Sequence, residues 1–284
     1  MTERGTLFVV ATPIGNLGDI TLRALEILRA VPLVAAEDTR VSRRLLDRYE
    51  IKVRTVSFHA RNAATRVPEL LDHLRSGADL ALVTDAGTPG VSDPGEELVR
   101  AWAREGGAVV PLPGASAVLA AVVASGIAGS RWSFEGFLPR SGRARRDRLR
   151  RVAADERATV VFEAPNRVAA TLTDLASACG EERTGAVCRE LTKLHEEIVR
   201  GTLGDLANAA RQGRLTLRGE FVLVVGPAGH RDDETDTDTI AAARSEVDGL
   251  VASGVARGEA ARRVSASSGV PRRQLYVPEG SRPR

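Results

Sequence analysis

The sequence predicts an α/β protein with two α/β lobes, a cleft between them and a small helical tail. Three observations predict this fold. The first half alternates short apolar, β-branched runs with stretches of helical periodicity, which requires crossover connections and a mainly parallel sheet. After Pro113 the strand candidates are less regularly spaced, which favours a second lobe with a more mixed sheet. An acidic stretch near residue 235 then separates a short helical end, and 284 residues allow roughly two domains at about 150 residues each.

The first lobe is predicted over residues 1–113. Its strand candidates are short and apolar, and glycine, proline or polar residues follow most of them. Asp19 is expected to cap the first helix, in which Ala24, Ile27 and Leu28 stand at helical spacing. In chain order we expect a strand at 6–11, a helix at 19–30, a strand at 33–36, a helix at 43–49, and strands at 54–58, 80–84 and 109–112 with helices between them.

The second lobe is predicted over residues 114–229. It begins with an Ala/Val-rich helix at 115–125, and a stretch at 141–151 holds six arginines against one aspartate. An acidic linker is expected at 230–239 and a basic helical tail at 240–284. The tail permits two interpretations, a helical pair packed on a neighbour with solvated arginines, or a contact with nucleic acid. Strands are expected at 132–137, 159–163, 185–189, 196–201 and 220–225, and tail helices at 241–251, 258–267 and from 271.

Composition excludes several classes of protein. The chain is 43% hydrophobic and 27% charged, as globular proteins are, and no apolar run is long enough to span a bilayer. The N-terminus has no signal-peptide layout, and Cys179 and Cys188 are too few for a disulfide framework or a cysteine metal site. We therefore expect a cytoplasmic protein without a metal. The sequence motifs of dinucleotide dehydrogenases, P-loop NTPases, zinc hydrolases and serine esterases are all missing.

Three loops rich in glycine and proline follow strands of the first lobe, at residues 12–17, 85–95 and 111–117. Ligands of open parallel sheets bind outside the carboxyl ends of the strands, where glycine lets the backbone approach them closely. Such turns also end strands in many proteins that bind nothing there. Three in succession favour a binding site, and since none carries a cluster of cations, a polyphosphate ligand is not expected.

Polar residues also collect at predicted strand ends. They are Glu37–Arg40, His59 with Asn62, Glu163, and Arg189–Lys193. Any one could be a helix cap or a surface ion pair, but their shared position indicates a common cleft. Lys193 is notable because the chain has only two lysines against 38 arginines, and a compact ammonium is not equivalent to a guanidinium in a site.

Taken in order, these segments resemble the tetrapyrrole methylase superfamily, and within it the ribosomal RNA small subunit methyltransferase I family. The resemblance covers nearly the whole chain, from Thr6 to Val225. One departure is the acidic linker, whose length and composition do not correspond to the family pattern. The segments that carry the resemblance are Thr12–Leu17 with Asp19–Ala24, Ala36–Arg40, Thr84–Pro89 with Asp93–Gly95, Glu135–Pro139 and Arg189–Lys193.

The resemblance implies a homodimeric enzyme of tetrapyrrole-methylase fold. It would use S-adenosylmethionine (SAM), bound between the lobes, to methylate the ribose 2′-oxygen of a cytidine in the decoding region of 16S rRNA in the small ribosomal subunit. The SAM contacts would fall on Pro13, Gly15, Asp85, Ala86, Gly87, Pro89, Asp93, Gly114, Ser116, Ala117, Phe162 and Leu191.

The expected chemistry requires help for a ribose hydroxyl, which is a poor acid. Lys193 would orient or deprotonate it, Glu190 or Asp38 would set the state of the lysine, and Arg40 with Arg189 would hold the flanking phosphates. The main RNA footprint beyond the cleft would be the basic helix, through Arg143, Arg145, Arg146 and Arg150. The same arginines could instead form a solvated helix face.

Two other functions stay open at this stage. A porphyrinoid C-methyltransferase would share the fold, but its first loop is expected to be of a Gly-Pro-Gly-Asp type, where this chain has Pro13-Ile-Gly-Asn16, and it gives no reason for the basic segments. A SAM- or RNA-binding module without catalysis is the other possibility, and the intact Glu-Asp-Thr-Arg and Glu-Leu-Thr-Lys segments argue against it.

Overall fold

The computed structural model describes residues 4–228, 237–268 and 270–275, without the side chains of residues 237–239 and 273. The chain separates into two compact units, residues 1–228 and 229–284. The strands are β1 (Leu7–Val10), β2 (Leu33–Ala36), β3 (Arg54–Ser57), β4 (Leu80–Val83), β5 (Val109–Leu112), β6 (Trp132–Phe137), β7 (Ala158–Glu163), β8 (Thr184–Arg189), β9 (Glu197–Thr202) and β10 (Phe221–Val225). The helices are α1 (Leu22–Ala30), α2 (Thr39–Arg48), α3 (Ala63–Arg75), α4 (Glu96–Arg104), α5 (Ala117–Ser125), α6 (Gly142–Ala154), α7 (Val168–Cys179), α8 (Leu203–Arg211), α9 (Thr237–Ala252), α10 (Arg257–Ser268) and α11 (Arg272–Leu275).

The first lobe is a five-stranded sheet in the order β3-β2-β4-β1-β5, and every pairing in it is parallel. Helices α1 and α2 pack on one face and α3 and α4 on the other. Neighbouring strand residues therefore enter different cores: Val9 packs with α3 and α4, whereas Val10 packs with α1 and α2. Burial on both faces explains why the three central strands, β2, β4 and β1, are apolar throughout instead of alternating with polar residues.

The second lobe is a mixed sheet in the order β6-β7-β10-β8-β9. Only β6 and β7 are parallel, and the other three pairings are antiparallel. Helices α6, α7 and α8 cover one face, and α5 covers the other together with Ile14 from the first lobe. The predicted α/β fold with two lobes is confirmed.

Helix caps are where the first lobe departs from the predictions. Helix α1 begins at Leu22, three residues later than expected, because the Thr21 hydroxyl accepts the Ala24 N–H at 3.1 Å and caps it. Asp19 instead ends a 3₁₀ turn capped by Asn16. Helix α2 begins at Thr39, earlier than expected, because Asp38 caps it.

The second unit is a small helical bundle. Its helices α9, α10 and α11 surround an apolar core that includes Val247, Val264 and Leu275. Helices α9, α10 and α11 lie in the predicted tail, and α9 begins at Thr237, inside the range predicted as the linker. The rest of that linker and residues 276–284 lie outside the described residues. None of the helices described is long and apolar enough to cross a membrane, and the predicted boundary after residue 113 stays a prediction.

Candidate functional site

The loops after β1 and β4 are joined to each other at the carboxyl edge of the first sheet. Thr12 and Gly87 exchange two backbone hydrogen bonds, of 2.9 and 3.0 Å, and the Thr12 hydroxyl donates to the Thr84 carbonyl at 3.0 Å. Gly87 has a φ of +88°, a conformation that disfavours any residue with a Cβ. The two predicted ligand loops therefore form one rigid rim.

Four carboxylates lie along this rim. The backbone N–H of Asp38 donates to the Asp85 carboxylate at 3.0 Å, which joins the ends of β2 and β4. Burial raises the pKa of Glu37 and of Asp85. Burial also raises the pKa of Asp93 to about 7, and the nearby negative charges of Glu37 and Asp85 add to the shift. Hydrogen bonds from Arg40 lower the pKa of Asp38 to about 2.

The first lobe meets the second where the loop after β1 lies under the loop after β8. A Cβ on Gly15 would lie 2.4 Å from Cγ of Lys193, so only glycine leaves room for the lysine stem. Next to it, the Asn16 N–H donates to the Thr192 hydroxyl at 3.2 Å. Gly15, predicted as a SAM contact, thus positions Lys193 at the junction of the two lobes.

Lys193 lies between two carboxylates. Its ammonium donates to Glu190 at 2.8 Å and forms an ion pair with Glu220 at 3.0 Å. Burial lowers the pKa of Lys193, but the hydrogen bonds with the two glutamates outweigh burial, and the net pKa is raised. The lysine is therefore a cation at neutral pH, which favours the orienting role over deprotonation. Its partners are Glu190 and Glu220; the expectation that Asp38 might set its state was wrong, because Asp38 is paired with Arg40 in the first lobe.

The turn that carries Lys193 is held in an unusual backbone conformation. Glu190 and Thr192 have φ values of +51° and +68°, in the left-handed region that non-glycine residues rarely occupy. A Cβ on Gly219 would lie 2.4 Å from the Glu190 carboxylate, and the Glu220 N–H donates to that carboxylate at 2.9 Å. Strain of this kind clusters at functional sites, where the surrounding structure holds it in place.

A cavity of about 350 Å³ lies between the lobes, beside this turn. That volume is within the range of small-molecule sites, roughly 300–1,000 Å³. Its walls combine apolar side chains with a few carboxylates. They include Ile14, Ala86, Ser92, Asp93, Ala117, Phe137, Phe162, Glu163, Cys188, Leu191 and Glu220.

Five of the predicted SAM contacts line this cavity, and the others support it. The five are Ala86, Asp93, Ala117, Phe162 and Leu191. Pro13, Gly15, Asp85, Gly87, Pro89, Gly114 and Ser116 belong to the loops that frame it. A Cβ added to Gly114 would lie 2.9 Å from the Cβ of Ala11, and the Ser116 side chain caps α5. Sequence reasoning missed Phe137, in the Glu135–Pro139 motif, and Glu220, which it placed at a strand end.

The arginines of α6 divide between its two faces. Arg143, Arg146 and Arg150 are exposed, at a spacing that forms one stripe along the helix. Arg145 is buried and was wrongly predicted to contact RNA. Its guanidinium donates to Asp174 at 2.8 Å, to the Thr171 hydroxyl at 2.9 Å and to the Pro139 carbonyl at 3.0 Å, so its charge fixes α6 to α7.

The two arginines expected to hold phosphates differ in availability. Arg189 is largely buried and donates to the Arg218 and His195 carbonyls, and its charge faces Glu197, so it serves the structure of the lobe. Arg40 is exposed and paired with Asp38 at 2.6 Å. Within the described part of the chain, no three His, Cys, Asp or Glu side chains are arranged to hold a metal ion.

Comparison with known proteins identifies the family. The family described as "Tetrapyrrole (Corrin/Porphyrin) Methylases" matches residues 6–207. The chain is 46% identical over 272 residues to "Ribosomal RNA small subunit methyltransferase I" of Synechocystis sp., covering 96% of both chains. It is 39% identical to the protein of the same name from Bacillus subtilis, covering 97% of this chain and 94% of the relative.

Solved structures match the fold. A cobalt precorrin-4 methyltransferase aligns with a TM-score of 0.58 at 21% identity, over 78% of this chain and 94% of that one. Uroporphyrin-III C-methyl transferase from Thermus thermophilus, complexed with S-adenyl homocysteine, aligns with a TM-score of 0.56 at 20% identity, over 78% and 97%. The sequence identity to the rRNA methyltransferases, over nearly the full length of this chain, is about twice the identity to these two porphyrinoid methyltransferases. The chain therefore belongs to the ribosomal RNA small subunit methyltransferase I family of the tetrapyrrole methylases.

Proposed function

We propose that this protein transfers a methyl group from SAM to the ribose 2′-oxygen of a cytidine in the decoding region of 16S rRNA. The observation that carries the proposal is the cavity between the lobes, at whose edge Lys193 is held between Glu190 and Glu220. Family membership supports the coarser statement, a SAM-dependent methyltransferase of small-subunit rRNA. The position and atom methylated belong to the proposal alone.

The cavity suits SAM in size and in chemistry. Apolar walls such as Phe162 and Leu191 can cover an adenosine. The Asp93 carboxyl group, which its raised pKa leaves partly protonated at neutral pH, would ionise more readily beside a ligand that carries positive charge. When bound, SAM supplies a methyl group on a sulfonium, which an oxygen nucleophile can attack in line. The framing loops would contribute backbone groups, since Gly87 and Gly114 let the chain pass close to a ligand or a neighbour.

The role we assign to Lys193 is to bind and orient the hydroxyl that is methylated. A charged ammonium donates hydrogen bonds and cannot accept a proton, so its part would be to hold the 2′-oxygen in line with the methyl group. The hydroxyl proton would pass to water as the C–O bond forms and the C–S bond of SAM breaks. Glu190 and Glu220 keep the ammonium charged and aimed. Placing the hydroxyl at attack distance should supply much of the rate, because the methyl group is already activated.

The exposed stripe of α6 is the proposed footprint on RNA beyond the cavity. Replacing Arg143, Arg146 and Arg150 with glutamine should weaken RNA binding at low salt. It should also reduce the slope of log affinity against log salt by about 0.7–0.9 for each phosphate that the variant no longer neutralises. A filter-binding titration from 50 to 200 mM salt measures both. An unchanged slope would mean that the stripe is a solvated face.

We further propose a homodimer acting in the cytoplasm. Helix α5 has no charged residue, and Leu119 and Val123, one turn apart, are 53% and 80% exposed. An apolar helix face of this kind is typical of an interface. Val123→Glu should convert a dimer to a monomer in light scattering, and a monomeric wild-type protein would contradict this part of the proposal.

Methyl transfer to ribosomal subunits tests the function directly. Labelled SAM and small subunits that lack decoding-region methylation are incubated with the protein, and the product is mapped by ribose-methylation stops. We expect a single 2′-O-methylated cytidine, formed about 100- to 1,000-fold more slowly with Lys193→Met. Transfer to a porphyrinoid without transfer to RNA would establish the alternative, and SAM binding without transfer to either would indicate a binding module.

A further inference from the structure

Phe137 is an exposed aromatic side chain at the edge of the cavity between the lobes. It is 55% exposed at the end of β6, although the fold buries most of its large apolar residues. An isolated exposed phenylalanine needs no explanation, but this one is aimed by a specific irregularity of the sheet.

That irregularity is a β-bulge. Phe134 pairs with Val160 but Phe137 pairs with Phe162, so β6 uses three residues where β7 uses two. Gly136, with a φ of +62°, supplies the conformation that the bulge requires. In a regular strand, residues three apart such as Phe134 and Phe137 point to opposite faces; the bulge places both rings on the side of Phe162.

The three rings form a row that leads out of the cavity. The centroids of Phe134 and Phe162 are 4.8 Å apart and those of Phe162 and Phe137 are 5.6 Å apart, both pairs edge to face. The inner rings pack against the core under α5, whereas the ring of Phe137 is covered on one side only. Its free side can therefore accept another flat ring.

A second cavity, of about 580 Å³, lies on the outer side of Phe137. It shares Phe137 and Ala164 with the first cavity and is otherwise lined by Leu138, Pro139, Arg140, Asn166 and Arg167. Arg140 and Asn166 are exposed, and Arg167 is engaged by the Leu138 carbonyl and Glu163. The cavity thus has one aromatic wall, one available guanidinium and one available amide.

We propose that the second cavity binds the base of the nucleotide being methylated, stacked on Phe137, with Arg140 on an adjacent phosphate. The proposal rests on the proposed function and says where the substrate would lie. Because the two cavities share a wall, the base can occupy the second cavity while its ribose reaches the first cavity. Base–aromatic stacking needs a face like that of Phe137, and a guanidinium suits phosphate. Arg140 lies just before α6, so the RNA strand would continue from Arg140 onto the exposed arginine stripe of that helix.

The first test compares variants of Phe137 at saturating SAM, with small ribosomal subunits as the substrate. Alanine substitution of a stacking residue costs about 1–3 kcal/mol per base, which is roughly a 5- to 150-fold loss of kcat/KM. We expect that loss in Phe137→Ala, carried mainly by KM, partial loss in Phe137→Leu, and near-complete recovery in Phe137→Tyr and Phe137→Trp. Leu22→Ala, which removes another exposed apolar side chain, is the matched control and should match wild type.

The second test separates stacking from charge and from cofactor binding. Arg140→Gln should reduce the salt slope of subunit binding by about 0.7, whereas Phe137→Ala should lower affinity without changing that slope. The Kd for SAM, measured by calorimetry, should stay at the wild-type value in Arg140→Gln, because Arg140 lies outside the first cavity; in Phe137→Ala, which trims one wall of that cavity, it should weaken far less than kcat/KM falls. Wild-type kcat/KM in Phe137→Ala, or a loss of SAM affinity in that variant as large as its loss of kcat/KM, would overturn the inference. A wild-type enzyme that methylates no RNA would instead refute the proposed function, and the inference with it.

Discussion

Replacing Lys193 with methionine is the most informative single perturbation, because methionine keeps the length of the stem that packs on Gly15 and removes only the ammonium. One preorganised donor aimed at a reacting oxygen is worth about 100- to 1,000-fold in kcat, or about 2.7–4 kcal/mol. The Kd for SAM should change little, because Lys193 is not in the walls of the cavity.

The cost to stability should be smaller than the cost to catalysis. The bond with Glu190 is charge-assisted and joins two largely buried side chains, so its loss should cost about 2 kcal/mol. Glu220 is 70% exposed, and its ion pair is worth at most about 1 kcal/mol. Thermal unfolding should therefore show a folded variant with a lower Tm, and Lys52→Met, which replaces the only other lysine, should leave both Tm and kcat unchanged.

The assay is single-turnover methyl transfer to small subunits between pH 7 and 9. Because the raised pKa keeps Lys193 charged over this range, its titration should add no pH dependence to the wild-type rate. A lysine acting as the base would give a rate that rises about tenfold per pH unit. Wild-type turnover in a folded Lys193→Met variant would refute the reasoning, and so would the tenfold rise.

Three further predictions follow from the same site and its supports. Gly219→Ala should lower kcat and Tm more than Gly213→Ala does. Both glycines have a positive φ, but only a Cβ at residue 219 would meet the Glu190 carboxylate. Equal effects of the two substitutions in kinetics and calorimetry would contradict this prediction. Burial raises the pKa of Asp93 from its ordinary 3.8 to about 7, so between these pH values the folded state binds more protons than the unfolded state. The free energy of unfolding, measured with urea, should therefore fall as pH rises from 4 to 7, and Asp93→Asn should flatten that decline. Arg145→Gln should clearly lower Tm, because it removes the hydrogen bonds to Asp174 and Thr171. Arg146→Gln, one residue along α6, should lower RNA affinity and leave Tm unchanged. A lower RNA affinity with an unchanged Tm in Arg145→Gln would restore Arg145 as an RNA contact.

The central strands of the first lobe could be predicted closely because they are buried on both faces and end in distinctive loops. Leu33–Ala36 has the predicted bounds because all four residues are buried, and the edge strand Val109–Leu112 has them because Pro113 and Gly114 follow it. Caps were harder, because Asp19 and Thr21 are both good caps and only the geometry of the 3₁₀ turn decides between them.

The site could be predicted at the level of loops but not of partners. Lys193 and Glu190 are three residues apart in one turn, so their contact could be expected, whereas Glu220 reaches the lysine only because β10 enters the sheet beside β8. Arg145 cannot be distinguished from Arg146 in the sequence, since its burial depends on Thr171 and Asp174 of another helix. The pairing shift that turns Phe137 likewise depends on β7.

The strand order of the second sheet has a consequence for how the protein is made. Strand β10 is the last strand in the described part of the chain, yet it lies between β7 and β8 and forms hydrogen bonds with both. During synthesis the halves of that sheet have no shared neighbour until Val225 has left the ribosome, and Glu220 arrives in the same short segment. A nascent chain can close its parallel sheet early, but we expect no chain that ends before β10 to hold SAM or act on RNA.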